Sequence, residues 1–223
     1  MRRPKSDIPL EAKERIAKKA KSHSQGYRAM ECVLRNQIVG QRVYAPNGQL
    51  VVETPIQAGK RNGCEYIWDE DGLLLSVEPY VSGKIHGLAK QYGRSGKVIG
   101  MYRMKHGTGL DVWRYESENG SVAIAEIHAM KDGSPHGIEW WFRTGLPVVS
   151  LWHERHWYQG VYHGVERQWN IRDKLKQGYP KYWIRGQQVS KAKYLKASLV
   201  DKTLPRYQER DNKPKRRIPL EVK

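Results

Sequence analysis

The chain has 223 residues, 39% of them hydrophobic, and carries a formal net charge of +17. No apolar run approaches the roughly 18–20 residues of a membrane helix. The basic start MRRPKSDIPLEAKERIAKKAK also lacks the apolar segment of a secretory signal, so a cytoplasmic protein without a transmembrane segment is expected. Its two cysteines, Cys32 and Cys64, have no CxxC spacing, which argues against a structural zinc site or a disulfide framework and for reduced thiols.

Phe occurs once, whereas Trp occurs 8 times and Tyr 13. Rings with an apolar body and a polar tip suit half-buried strands better than a thick aliphatic core. The charge is unevenly spread: residues 1–29 carry a balance of +6, residues 30–164 balance to zero, and residues 165–223 carry +11. Anion-seeking behaviour therefore belongs to the two ends.

In chain order, residues 1–29 are expected to form a basic N-terminal helix. Ser6 or Asp7 supplies its cap, Pro9 sits in its first turn, and Lys18, Lys19 and Lys21 lie at its negative end. Its apolar face (Leu10, Ile16, Ala17, Ala20) is thin, so such a helix is marginal alone.

From about residue 30 the hydrophobic period becomes two, and residues 30–189 read as a β-hairpin repeat domain. Turns recur at Asn47-Gly48, Asp71-Gly72, Ser95-Gly96, Asn119-Gly120 and Thr144-Gly145. The first four glycines are equally spaced, and the fifth comes one position late. Two residues past each glycine stands Leu50, Leu74, Val98, Val122 or Pro147, an apolar position facing the packed side. A second turn follows in each unit: Gly59-Lys60-Arg61-Asn62-Gly63, Gly83-Lys84-Ile85-His86-Gly87, a shortened Gly107-Thr108-Gly109, Gly133-Ser134-Pro135-His136-Gly137 and Gly160-Val161-Tyr162-His163-Gly164. Each unit is thus strand, turn, strand, turn, and neighbouring units must stack to bury their apolar faces. Aromatic residues follow the second turn at matching positions, among them Tyr66, Tyr92, Trp113, Trp140 and Trp141.

Residues 182–189 read as a final hairpin. Residues 190–223 read as a short helix and a basic tail. Ser190 caps the helix over 191–200, and the tail, with Pro214 and Pro219, favours an extended or disordered state.

The string Ser82-Gly83-Lys84-Ile85-His86-Gly87, followed by Tyr92, Ser95-Gly96, Val98 and Tyr102, resembles a MORN repeat. It resembles more closely the variant found in bacterial antitoxin-like proteins, over about residues 45–170. Ala89, Glu139 and Glu166 stand where the standard repeat has a further glycine, and Asn62 replaces His in the first copy. The resemblance implies an elongated single-layer sheet, and with the elements read above the expected fold is all-β: an elongated single-layer antiparallel meander of MORN-like hairpins, with short N- and C-terminal helices. It also implies a scaffold or binding surface that docks or neutralises a partner protein, and it offers no catalytic residues.

No phosphate-binding glycine loop, nucleophile elbow or H-E-x-x-H is present, and no enzyme or cofactor is expected. His86, His136 and His163 recur once per unit, roughly 10 Å apart at about 4.8 Å per strand, too far to share a metal. They read as turn-stabilising side chains. In Trp152-His153-Glu154-Arg155-His156-Trp157, alternation puts His153 and Arg155 on one side and Glu154 on the other, which does not assemble a His–Glu pair. A hydrolase built around His153 and His156 remains a third hypothesis. The candidate partner-binding residues are Tyr92, Trp113, Trp140, Trp141, Trp152 and Trp157. The alternative is nucleic-acid or anionic-lipid binding through the basic ends, with Lys18, Lys19, Lys21, Lys213, Lys215, Arg216 and Arg217 as candidates.

Overall fold

The computed structural model describes residues 5–17, 26–144 and 150–219. The chain divides into two units, Met1–His106 and Gly107–Lys223. Both are predominantly β, and every strand pair described is antiparallel.

The first unit contains β1 (Lys13–Ile16), β2 (Arg28–Leu34), β3 (Gln37–Tyr44), β4 (Leu50–Gln57), β5 (Lys60–Arg61), β6 (Gly63–Trp68), β7 (Leu74–Val81), β8 (Lys84–Ile85), β9 (Gly87–Tyr92) and β10 (Val98–Lys105). They pair in sequence as a meander, with β5 and β8 forming the first steps of the strands continued by β6 and β9. Leu50, Tyr66, Trp68 and Leu74 form a buried cluster on one face, with Tyr92 packed against it.

The second unit contains β11 (Thr108–Glu116), β12 (Val122–Lys131), β13 (Ser134–Phe142), β14 (Leu151–Tyr158), β15 (Val161–Tyr162), β16 (Gly164–Gln168), β17 (Lys181–Ile184) and β18 (Gln187–Val189). These are followed by α1 (Lys191–Val200) and a 3-10 turn at Glu209–Asn212. Ser190 caps α1 as the sequence predicts, its hydroxyl accepting the Lys193 N–H. α1 is the one α-helix among the described residues, and no helix there is long and apolar enough to cross a membrane.

The turn register read from the sequence carries both units. Backbone pairs close identical turns at Ala45/Gly48, Asp69/Gly72, Gly93/Gly96 and Ser117/Gly120, in the even spacing of the sequence. A further copy at Asn170/Asp173 has the same two bonds. There the Asn170 carboxamide oxygen accepts the Arg172 and Lys174 N–H groups, and Asp173 takes φ 57° where earlier copies have glycine. The second turns have positive φ at both central residues (Ala58-Gly59, Ser82-Gly83, Asp132-Gly133, Gln159-Gly160, Arg185-Gly186), which matches the right-handed twist of the strands. The fifth predicted turn, at Gly145, lies outside the described residues.

The residue before the closing glycine of each pentapeptide staples one turn to the next. Asn62 Oδ1 accepts the Ser82 N–H at 3.3 Å, and His86 Nδ1 accepts the His106 N–H at 3.1 Å. His136 Nδ1 accepts the Gln159 N–H at 3.4 Å, and His163 Nδ1 the Arg185 N–H at 3.1 Å. Thr108 Oγ1 performs the same task for Asp132 at 3.0 Å. The histidines are turn staples, and Asn and Thr can stand in because the task needs only an acceptor at that reach.

Two expectations are corrected. Residues 13–16 are not helical: they form β1, paired with β2 from Lys13↔Val33 to Ile16↔Met30. Leu10 is 96% exposed and Ile16 78%, so the thin apolar face has nothing to bury, and pairing with β2 satisfies the backbone instead. Asp7 caps a strand rather than a helix, its carboxylate accepting the Cys64 N–H at 2.7 Å. Ile8 fills the notch left by Gly40, where any Cβ would stand 2.2 Å from the Ile8 Cδ1.

The tail is also not free through residue 219. Tyr207 joins the cluster of Val165, Tyr182, Tyr194 and Leu204, and the Trp169 indole donates to the Asn212 carbonyl at 2.6 Å. The second unit's sheet therefore has one face covered over β14–β17 by α1 and the tail, instead of standing there as a bare layer.

Candidate binding face

Alternation along β11–β17 sorts the side chains of the second unit onto two faces. The covered face carries Val112, Ile127, Trp140, Glu154, Val165, Arg167 and Tyr182, all buried. At its centre the Glu154 carboxylate receives Arg167 Nη1 at 2.7 Å, Arg216 Nε at 2.7 Å, Arg216 Nη2 at 3.0 Å and Trp140 Nε1 at 2.9 Å. Burial pushes the Glu154 carboxyl up, but the Arg216 hydrogen bonds and the surrounding positive charge hold it below its ordinary value. The remaining Arg216 donors go to the Lys213, Lys215 and Asp211 carbonyls.

On the opposite face, register places Trp113 opposite Glu126 and Glu126 opposite Trp141, with Asp111, His128, Glu139 and Arg155 forming the adjacent row. These side chains are half-buried, and His153 and Glu166 on the same face are buried. Trp141 stacks on His153 with centroids 4.7 Å apart and meets His128 edge-on at 5.6 Å. The Arg155 guanidinium lies 4.9 Å from the Trp141 centroid and 5.3 Å from that of Tyr162. Tyr162 in turn packs between Trp157, at 4.3 Å, and Trp183, at 5.2 Å.

Three carboxylates are fixed among these rings. Glu166 Oε1 lies 3.0 Å from His153 Nε2 and 3.6 Å from Arg155 Nε, while Glu166 Oε2 accepts from Trp183 Nε1 at 3.0 Å. Glu139 Oε1 lies 3.0 Å from His128 Nδ1, and Glu139 Oε2 accepts from the Trp157 indole. Glu126 Oε2 lies 2.9 Å from His128 Nε2. Burial depresses the His128 imidazolium, but hydrogen bonds to Glu139 and Glu126 at its two ring nitrogens raise it above its ordinary value. Glu166 is pushed up by burial and pulled further down by His153 and Trp183, ending low.

Of the predicted partner-binding residues, Trp113, Trp141 and Trp157 share this open face. Trp152, at the irregularity between the Trp141 and Phe142 pairings, joins them with its ring 6.1 Å from Trp141 and 37% exposure. Trp140 lies on the covered face, buried and bonded to Glu154, because adjacent strand residues point to opposite sides. Tyr92 packs against the core of the first unit. Of the predicted anion-binding residues, Lys213, Lys215 and Arg217 are exposed, Arg216 is turned inward onto Glu154, and Lys18, Lys19 and Lys21 lie outside the described residues.

His153 and His156 do not converge. His153 belongs to the open face with Trp141 and Glu166, whereas His156 Nδ1 faces the Val165 carbonyl at 2.8 Å, and burial lowers its pKa. Glu154 bonds on the side away from His153, as alternation predicts. Among the described residues no group of three His, Cys, Asp or Glu side chains is arranged to hold a metal.

Sequence reasoning missed His128, Glu139, Arg155, Tyr162, Glu166 and Trp183. Their signal is an approximate repeat: the step from His128 to Arg155 equals that from Glu139 to Glu166, and the step from Trp157 to Trp183 is shorter by one position. No family model matches the chain, and no curated protein matches it.

Proposed function

We propose that the protein is a non-enzymatic binding or scaffold protein of the MORN-variant, antitoxin-like kind, which docks a protein partner on the open face of its second unit. One observation carries this: Trp113, Trp141, Trp157, Tyr162 and Trp183 lie half-buried together on one face of a sheet whose other face is covered over β14–β17 by the chain's own helix and tail. Indole and phenol rings held in place by carboxylates bring large contact area at little cost in rotamer entropy. The inward turn of Arg216 removes one cation from the alternative reading, in which the basic ends bind nucleic acid or anionic lipid.

The test is capture from the native cell with the full chain, against the variants Trp141→Ser and Trp152→Ser. One protein retained through a high-salt wash and lost with either variant supports the proposal. Capture indifferent to both variants, or retention of nucleic acid alone at low salt, contradicts it.

A further inference from the structure

A cavity of about 240 Å3 opens on this face, lined by Asp111, His128, Met130, Pro135, Glu139 and Trp157 among others. It is below the roughly 300–1,000 Å3 of pockets for drug-sized ligands, which suits one side chain or a small organic ion. Its apolar walls are Met130, Pro135 and the indole of Trp157, and its polar groups include the Glu139 carboxylate.

One repeat further on, the same carboxylate–indole pair stands beside a guanidinium supplied by the chain itself. There Arg155 replaces His128, Glu166 replaces Glu139, Trp183 replaces Trp157 and Tyr162 replaces Pro135. Each carboxylate accepts an indole N–H, from Trp157 at Glu139 and from Trp183 at Glu166. The Arg155 guanidinium sits between the Trp141 and Tyr162 rings, donates from Nε to His153 Nε2 at 3.2 Å and pairs with Glu166 at 3.6 Å. His128 is too short to reach as Arg155 does, and the cavity stands in the corresponding place. Guanidinium is the cation that matches both a flat ring and a carboxylate, since it is planar, weakly hydrated and able to donate in a fork.

We propose that this cavity binds an alkyl-guanidinium group against Glu139, as Arg155 lies beside Glu166, with the Trp157 ring as its flat surface where Arg155 uses Trp141 and Tyr162. The group comes either from an arginine side chain of a bound peptide or from a free guanidine. Although the cavity lies on the proposed contact face, its occupation is measurable with no partner present, so failure here leaves the wider function standing.

The probes are N-acetylarginine amide, its neutral citrulline counterpart, and a flexible peptide with a single arginine, titrated into the full chain. Binding is read from the Trp157 indole N–H resonance, assigned with Trp157→Phe. Saturable binding of the arginine probe is expected, with citrulline at least tenfold weaker and Glu139→Gln reducing affinity at least tenfold. His128→Arg places a tethered guanidinium in the cavity, so it should abolish binding while keeping a dispersed, folded spectrum. Tighter binding of the peptide than of the amide assigns the source to a protein; equal binding assigns it to a free guanidine. No saturable shift, equal citrulline binding, or undiminished binding in folded His128→Arg overturns the proposal.

Discussion

The two units use the same turns and fill the same sheet positions with different chemistry. In the first unit, Glu78 accepts the Tyr80 hydroxyl at 2.8 Å and the Tyr102 hydroxyl at 2.7 Å, and Glu65 accepts the Thr54 hydroxyl at 2.6 Å. Glu78, Tyr80 and Tyr102 are all buried, so that network is spent on holding the sheet. In the second unit the corresponding rows carry His128, Arg155, Trp141 and Trp157, half-buried, with carboxylates that bond imidazole and indole nitrogens rather than hydroxyls. The covering segments differ as well. The first unit takes its strap from residues before the repeats, through Asp7 and Ile8; the second takes it from residues after them, through Tyr207, Asn212 and Arg216. A repeated backbone thus carries a buried hydroxyl–carboxylate network in one unit and half-buried rings in the other without changing its turns.

The sharpest way to break the contrast is at the second strap. Glu154→Ala leaves Arg167 and Arg216 buried without their carboxylate, and such a loss costs about 3–5 kcal/mol. Chemical denaturation should show it, and hydrogen exchange should rise in β14, β16 and residues 206–217 before it rises in β2–β4. Uniform loss of protection through both units would erase the distinction.

At the first strap, Ile8→Ala empties the notch over Gly40 and should cost about 2–5 kcal/mol, seen as a lower denaturation midpoint and faster exchange at the Cys64 amide. An unchanged midpoint would mean that the N-terminal segment is not packed there.

The turn staples should matter less. His86→Ala leaves the His106 N–H without its acceptor and is expected to cost roughly 0.5–1.5 kcal/mol, whereas His86→Asn, copying Asn62, should recover most of that. Equal losses in the two variants would show that the imidazole acts through packing, since its ring lies 4.0 Å from that of His106.

The smallest effect is on pH dependence, and its sign separates two histidines of the second unit. His128 has a raised pKa, so its contribution is complete below the unfolded value near 6.5 and is lost as pH rises through the folded value. His156 has a lowered pKa, so the unfolded chain takes up the proton first and stability falls as pH drops below about 6.5. Imidazole resonances followed by NMR should titrate in that order, His128 at the higher pH. Removing Glu126 and Glu139 together should bring His128 down, and an unmoved His128 would refute the cause assigned to it.

The turns are legible because positive φ calls for glycine or asparagine, and the even spacing of Gly48, Gly72, Gly96 and Gly120 follows from that demand. The Asn170/Asp173 copy is hidden in the sequence because an aspartate takes the position with φ 57°, leaving no glycine to count. At the N-terminus the capping signals mislead: Asp7 bonds the Cys64 N–H, and tertiary pairing with β2 decides the outcome against a helix. Docking of the tail is illegible: Arg216 and Glu154 are 62 residues apart, and no periodicity links them. The candidate aromatics are visible as Trp and Tyr, but their face depends on register, and in the Trp140-Trp141 pair one ring has to be structural. The carboxylates and cations around them are masked by the neutral net charge of residues 30–164.

Contact through the open face of the second unit is tested most directly by photo-crosslinking, with benzoylphenylalanine placed at Trp141, at Lys215 and at Val81 of the first unit, in the native cell. One protein adduct from position 141 that persists in high salt, absent from positions 215 and 81, is the predicted result. An adduct confined to position 215 or 81, or nucleic acid captured there instead, would contradict it.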